Sequence, residues 1–278
     1  MSDSLLALLT ALGDDELILG HRHSEWTGHA PHIEEDVAFS SIAQDEIGHA
    51  AAYYSLVAEI TGGDKNGLAL GRSRAEYRHA ILCERPNRDW AYTLVRHWLY
   101  DTADDLRLEA LEASSHTGLA AIATKLRREE RYHLLHANTW MRRVSAGPVE
   151  GRARLVESIA DCFLESTALF EPFEDEEDSV KEGWLPAPSS ELRERFVGRA
   201  AEQLDKLGLP SNVVSSDDAA AEFVASSSGD LIARDSAVDK NASRAAGLGG
   251  RRGSHSPDFE ALWEEMTRTY RSEPEATW

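Results

Sequence analysis

Two Glu-x-x-His motifs, Glu46-Ile-Gly-His49 and Glu130-Arg-Tyr-His133, lie 84 positions apart in a chain of 278 residues. Each is preceded by a lone acid: Glu16, 30 residues before Glu46, and Asp101, 29 residues before Glu130. A three-residue step puts Glu and His on one face of a helix, so each pair can grip a cation from one side. One motif alone says little, because eleven histidines give about one match by chance and a motif match is only a hypothesis. The chain contains such a stray match, Glu76-Tyr-Arg-His79, in a short segment ahead of Pro86, where it reads as a surface pair on an amphipathic turn. The duplication of acid and motif is what constrains the fold.

Both upstream acids fall on apolar helical stripes. Leu5, Leu9, Leu12, Glu16 and Leu19 recur at three- and four-residue steps, one face of a first helix. Pro31 opens a second, with proline tolerated in the first turn. Its stripe is Phe39, Ile42, Glu46, His49, Tyr53, Leu56 and Ile60, and Gly62-Gly63 ends it. A third helix from about Arg88 carries Leu94, His97, Asp101, Asp104 and Leu108. A fourth, from Gly118 to Val144, carries Ala123, Leu126, Glu130, His133, Ala137 and Trp140, and Gly147-Pro148 closes it. Further helices are expected over 151–173, 190–207 and 258–271, and no strand pattern occurs.

An acid on a leucine stripe is costly to bury unless it is paired or bound to metal. Two helix pairs, each giving one acid and one Glu-x-x-His toward a shared interior, are the ligand arrangement of ferritin-like di-iron carboxylate bundles. The expected fold is therefore all-α, a ferritin-like four-helix bundle with additional C-terminal helices and a long loop. It forms one domain over residues 1–278: a core bundle over about 3–173 and an extension over 174–278. Residues 212–253, rich in Ser, Ala, Asp and Gly, read as a flexible insertion within it. The acidic run from Glu171 to Glu182 reads as solvated surface, and Arg251-Arg252 as incidental charge on that loop.

The candidate metal ligands are Glu16, Glu46, His49, Asp101, Glu130 and His133. Asp104, one turn along from Asp101, competes for its place. Carboxylate and imidazole together suit iron, manganese or zinc; two iron ions are the expected cofactor, with manganese the alternative. Asp45 and Glu129, each just before a ligand glutamate, are candidates to accept a hydrogen bond from a ligand histidine and fix its tautomer. His21, His23, His29 and His32 crowd the first interhelix turn, where caps and turn hydrogen bonds are the expected use.

Composition narrows the partners. A net charge of −20 would repel nucleic acid and anionic membrane, so neither is expected. Only Cys83 and Cys162 occur, neither a disulfide framework nor a zinc cluster, which fits a reducing compartment. With no signal-peptide pattern at the start and no apolar run near the ~20 residues of a membrane helix, a cytoplasmic protein is expected.

Four segments carry a family resemblance: residues 17–31 with Glu25-Trp26-Thr-Gly-His-Ala-Pro31, Glu84-Arg-Pro-Asn-Arg-Asp89, Glu129-Glu-Arg-Tyr-His-Leu134, and Gly247-Leu-Gly-Gly-Arg-Arg-Gly-Ser-His255. They resemble the C subunits of phenylacetyl-CoA epoxidase (phenylacetate-CoA oxygenase) complexes. The resemblance implies a multicomponent monooxygenase of aerobic phenylacetate breakdown. There a catalytic A subunit binds the di-iron centre and the CoA thioester, and a reductase component supplies electrons from NADPH. One oxygen atom goes onto the ring of phenylacetyl-CoA as a 1,2-epoxide. Familiar C subunits look like degenerate copies of the A subunit, with apolar or amide residues where ligands would stand. This chain departs from them with Glu46, His49, Glu130 and His133 at those places. It is therefore expected to be either an oxygenase component with its own di-iron site or a structural partner of the A subunit with a vestigial site or none.

Overall fold

The structure is a computed structural model that describes residues 3–211, 247–273 and 276. Four long helices form the frame: α1 (Asp3–Ser24), α2 (Ile33–Thr61), α5 (Trp90–Leu111) and α6 (Thr117–Ser145), with the short α3 (Lys65–Leu70) and α4 (Ile81–Glu84) between the pairs. After the frame come α7 (Val149–Thr167), α8 (Glu176–Lys181), α9 (Ser189–Lys206) and α10 (Asp258–Ser272). Among the described residues there is no strand, as expected of an all-α ferritin-like bundle. No described helix is long and apolar enough to cross a membrane.

α1 packs chiefly on α2, and α5 on α6, so each expected acid-plus-motif pair is also a packed helix pair. Gly20 lets α1 and α2 close up, since a Cβ there would come within 2.9 Å of Ile47 and 3.2 Å of the Ala43 carbonyl oxygen. Gly62 ends α2 in the left-handed conformation, φ 70°, as its place after the stripe predicts. Asp89 caps α5 by accepting from the Tyr92 amide at 2.9 Å.

α5 is the central helix, buried along nearly its whole length. α6 covers one side, and α7 and α9 lie against others. The stripe from Leu94 to Leu108 is thus only part of its buried surface. Leu155, Ile159 and Phe163 of α7, with Leu192, Phe196 and Leu204 of α9, join Trp98, Leu99 and Tyr100 in the main core.

The segment around Arg251 departs from expectation. Residues 212–246 of the predicted flexible insertion lie outside the described residues, but 247–253 are packed against the bundle. Arg251 is buried, and its guanidinium donates to both Asp15 oxygens at 2.8 and 2.6 Å and to the Leu169 carbonyl at 2.9 Å. A Cβ on Gly250 would meet the His79 carbonyl oxygen at 2.1 Å, so only glycine allows this approach. The acidic run is likewise not all solvated: Glu171 is buried and accepts from the Gly249 amide at 2.8 Å. Its charge is used to hold the tail.

The stray motif also comes apart. Glu76 faces solvent and closes a capping box with Ser73. His79 is fully buried and pairs instead with Glu84, Nε2 to Oε2 at 2.7 Å. His255 of the tail stacks on it and meets the same Glu84 oxygen at 2.9 Å, and the Ser256 amide donates to the other at 2.6 Å. A surface pair was expected; the buried half of it anchors the tail.

Candidate metal centre

All six sequence-predicted ligands meet inside the frame, each no more than 2% exposed. Glu16 comes from α1, Glu46 and His49 from α2, Asp101 from α5, and Glu130 and His133 from α6. His49 Nδ1 lies 3.3 Å from Glu16 Oε2 and 3.5 Å from Glu130 Oε1. His133 Nδ1 lies 3.0 Å from Glu130 Oε1. Glu16, His49 and Glu130 form a group whose ligand atoms lie within 4.8 Å of one another.

The other ring nitrogens settle what these contacts mean. His49 Nε2 is 3.0 Å from Glu129 Oε2, and His133 Nε2 is 3.3 Å from Asp45 Oδ2. A carboxylate accepts, so in each ring Nε2–H donates outward and a neutral imidazole keeps its lone pair on Nδ1. Both lone pairs then point at buried carboxylate oxygens. That arrangement is repulsive unless a proton or a metal ion stands between them. The wiring also crosses over: Asp45, beside Glu46, holds the histidine of the other motif, and Glu129, beside Glu130, does the reverse. Replacing Asp45 or Glu129 with Ala should weaken metal binding about 10- to 100-fold. A chelator competition titration would measure this, and an unchanged affinity would remove both residues from the account.

Hydrogen bonding leaves the interior unsatisfied. Buried atoms without a partner include Glu16 Oε2, both Glu46 oxygens, His49 Nδ1, both Asp101 oxygens, Glu130 Oε2 and His133 Nδ1. Every candidate ligand contributes at least one, whereas buried polar groups in folded proteins are nearly always paired. The residues present therefore fit a metal pair.

The competition between Asp101 and Asp104 is decided by Arg107. Its guanidinium takes Asp104 Oδ1 at 2.8 Å, while Asp101 keeps both oxygens unpartnered. Asp104 keeps only Oδ2 unpartnered, so of the two Asp101 has the more to offer a cation.

Electrostatics point the same way. Burial pushes the Glu46 and Asp101 carboxyls well above their usual range. Burial alone would lower His49, but Glu16 and Glu130 outweigh it and raise the imidazole to about 9. His133 rises for the same reason, with burial overcome by Glu130 and Asp45. Without a metal, protons shared among these imidazoles and carboxyls offset the buried charge.

Three neighbours go beyond the six predicted ligands, although His97 already stood on the third-helix stripe. Tyr100 donates to Glu16 Oε1 at 2.9 Å. His97 faces Asp101, Nδ1 to Oδ2 at 3.1 Å. His23 is not a turn residue but the fully buried last turn of α1, with Nδ1 2.9 Å from Glu46 Oε2. Spacing could have found both histidines: His23 follows Glu16 by seven, and His97 precedes Asp101 by four, each a return to the same helix face.

Comparison with known proteins agrees with the resemblance read from the sequence. The family described as phenylacetic acid catabolic protein matches residues 1–223. The C subunit of the 1,2-phenylacetyl-CoA epoxidase of Escherichia coli (strain K12) is 33% identical over 170 residues, which cover 61% of this chain and 68% of the relative.

Proposed function

The chain belongs to the family of phenylacetic acid catabolic proteins, and from that premise we propose that it is a subunit of a multicomponent monooxygenase that epoxidises the ring of phenylacetyl-CoA and that it holds a two-iron centre of its own. The observation that carries the metal part is the set of buried, unpartnered atoms on all six ligand candidates, with two histidines turned inward by outer carboxylates. The substrate follows from family membership and similarity to the C subunit.

Bound iron would supply the reduction of oxygen, one atom going to the aromatic ring and the other leaving as water, with two electrons from a reductase component. The protein's residues have narrower tasks. Glu16, Glu46, Asp101 and Glu130 neutralise the ions; His49 and His133 fix their positions; Asp45 and Glu129 fix the histidines. Tyr100 orients Glu16. The surrounding core, with Tyr53, Leu108 and Ala103 all nearly inaccessible, keeps bulk water out and strengthens each charge interaction.

Metal analysis of the chain purified from iron-replete cells tests this reading. About two irons per chain are expected. Less than a tenth of that, with binding to the A-type subunit unchanged, would leave the structural-partner reading, which the similarity to a C subunit also favours.

The partner surface is proposed to lie on the helices that carry the motifs. Ile33 and Val37 of α2 and Tyr132 and Leu135 of α6 are large apolar side chains left more than half exposed. Glu35 and His136, 2.8 Å apart, tie the two helices together at that end. A catalytic A-type subunit seated there would bury these four. Changing Val37 and Leu135 to Asp should leave the fold intact and weaken co-purification with the A-type subunit by tenfold or more, since each buried aliphatic side chain contributes about 1.5–3 kcal/mol. Undiminished co-purification would place the interface elsewhere.

A further inference from the structure

We propose that His23 and His97 are metal ligands and that, with Glu46 and Asp101, they seat one of the two ions, while Glu16, His49, Glu130 and His133 seat the other. The proposal rests on the two-metal reading above and adds two ligands to it.

His97 repeats the wiring of His49 and His133. Glu35 Oε2 accepts from His136 Nε2 at 2.8 Å, which leaves His136 Nδ1 as an acceptor. His97 Nε2 lies 3.3 Å from that atom and donates to it. The His97 lone pair is thereby fixed on Nδ1, which is buried, unpartnered and 3.1 Å from Asp101 Oδ2. A lone pair facing a carboxylate oxygen calls for a proton or a metal ion between them, as at the two motif histidines. His23 has neither ring nitrogen hydrogen-bonded, although Nδ1 comes within 2.9 Å of Glu46 Oε2. Buried polar groups are rarely left unpaired, so these ring nitrogens point to a missing partner.

His23, Glu46 and His97 offer ligand atoms within 4.8 Å of one another and share no residue with the group of Glu16, His49 and Glu130. Adding the contacts of His133 to Glu130 and of His97 to Asp101 completes two equal sets. Each has two carboxylates and two imidazoles, so four carboxylates balance two divalent ions in an interior where net charge is costly.

The buried group His79, Glu84 and His255 lacks these properties. One Glu84 oxygen already accepts from both rings and the other from the Ser256 amide. That group is a hydrogen-bonded anchor. The contrast is what singles out His23 and His97.

X-ray absorption on the intact chain loaded with cobalt tests the proposal without a mutation. Four histidines on two ions predict about two imidazoles per metal; about one per metal would overturn it and leave the two-metal reading standing. The His23→Gln, His97→Gln double variant, checked for unchanged circular dichroism, should fall from about two cobalt ions per chain to about one. Retention of both ions, or loss of both, would overturn the division into two seats. A wild-type chain that takes up no cobalt would overturn the proposal together with the metal centre itself.

Discussion

Replacing Glu46 and Glu130 together with Ala should abolish metal binding, from about two ions per chain to less than ~0.2, while helix content stays as in the wild type. Each seat loses a carboxylate, and the nearest further acid, Asp104, is held by Arg107. Replacing Glu46 alone should raise the melting temperature of the metal-free protein. In that state Glu46 is a buried carboxyl with both oxygens unpartnered, so its removal relieves a desolvation penalty and leaves a small void in exchange. Metal content by mass spectrometry and paired melts with and without chelator read both effects. A variant that keeps its metal would refute the ligand assignment. One that loses metal yet sustains full turnover in a reconstituted complex would show that the chemistry belongs wholly to the partner.

The largest expected stability effect lies next to the centre, at Asp15. Its carboxylate holds Arg107 at 2.8 Å and Arg251 at 2.6 Å, with the guanidinium groups buried alongside it. Asp15→Ala leaves two buried cations facing each other and should cost about 3–5 kcal/mol, a large part of the ~5–15 kcal/mol that holds a domain together. The pH dependence follows from its ionisation. Burial would raise the carboxyl, but Arg251 and Arg107 outweigh burial and hold it below its ordinary 3.8. The unfolded chain therefore takes up this proton first. The stabilisation is complete above about pH 4 and is lost as pH falls through the lower folded value. Urea unfolding of wild type and variant across that range should show the gap between them closing toward low pH. A gap that stays constant would mean that Asp15 contributes by packing alone.

The frame and the convergence of the six candidate residues were legible because both obey local periodicity. Glu16 and Asp101 betray themselves as acids on leucine stripes, and the motif offset repeats them. The central helix was only half legible: α5 is covered on several sides, and a stripe cannot mark a helix that is buried all round. His23 was hidden by its company, since His29 and His32 nearby do sit in the turn. Arg251 was illegible for a different reason. Its partner Asp15 is 236 positions away, and no local pattern distinguishes a basic residue on a loose loop from one that completes a buried ion pair. His79 fell to the same limit, because Glu84, His255 and Ser256 build its surroundings from two separate segments.

That distance along the chain also has a meaning in time. At roughly 5–20 residues per second of synthesis, some ten to fifty seconds separate the emergence of Asp15 from that of Arg251. During that interval α1 and α2 can pair, and Arg107 can reach Asp15, but one guanidinium of the pair is still missing and the seat for the tail on His79 and Glu84 stands open. A nascent chain stalled after α9 should then be the form most exposed to chaperones and proteases, with its bundle assembled and its final fastening not yet made.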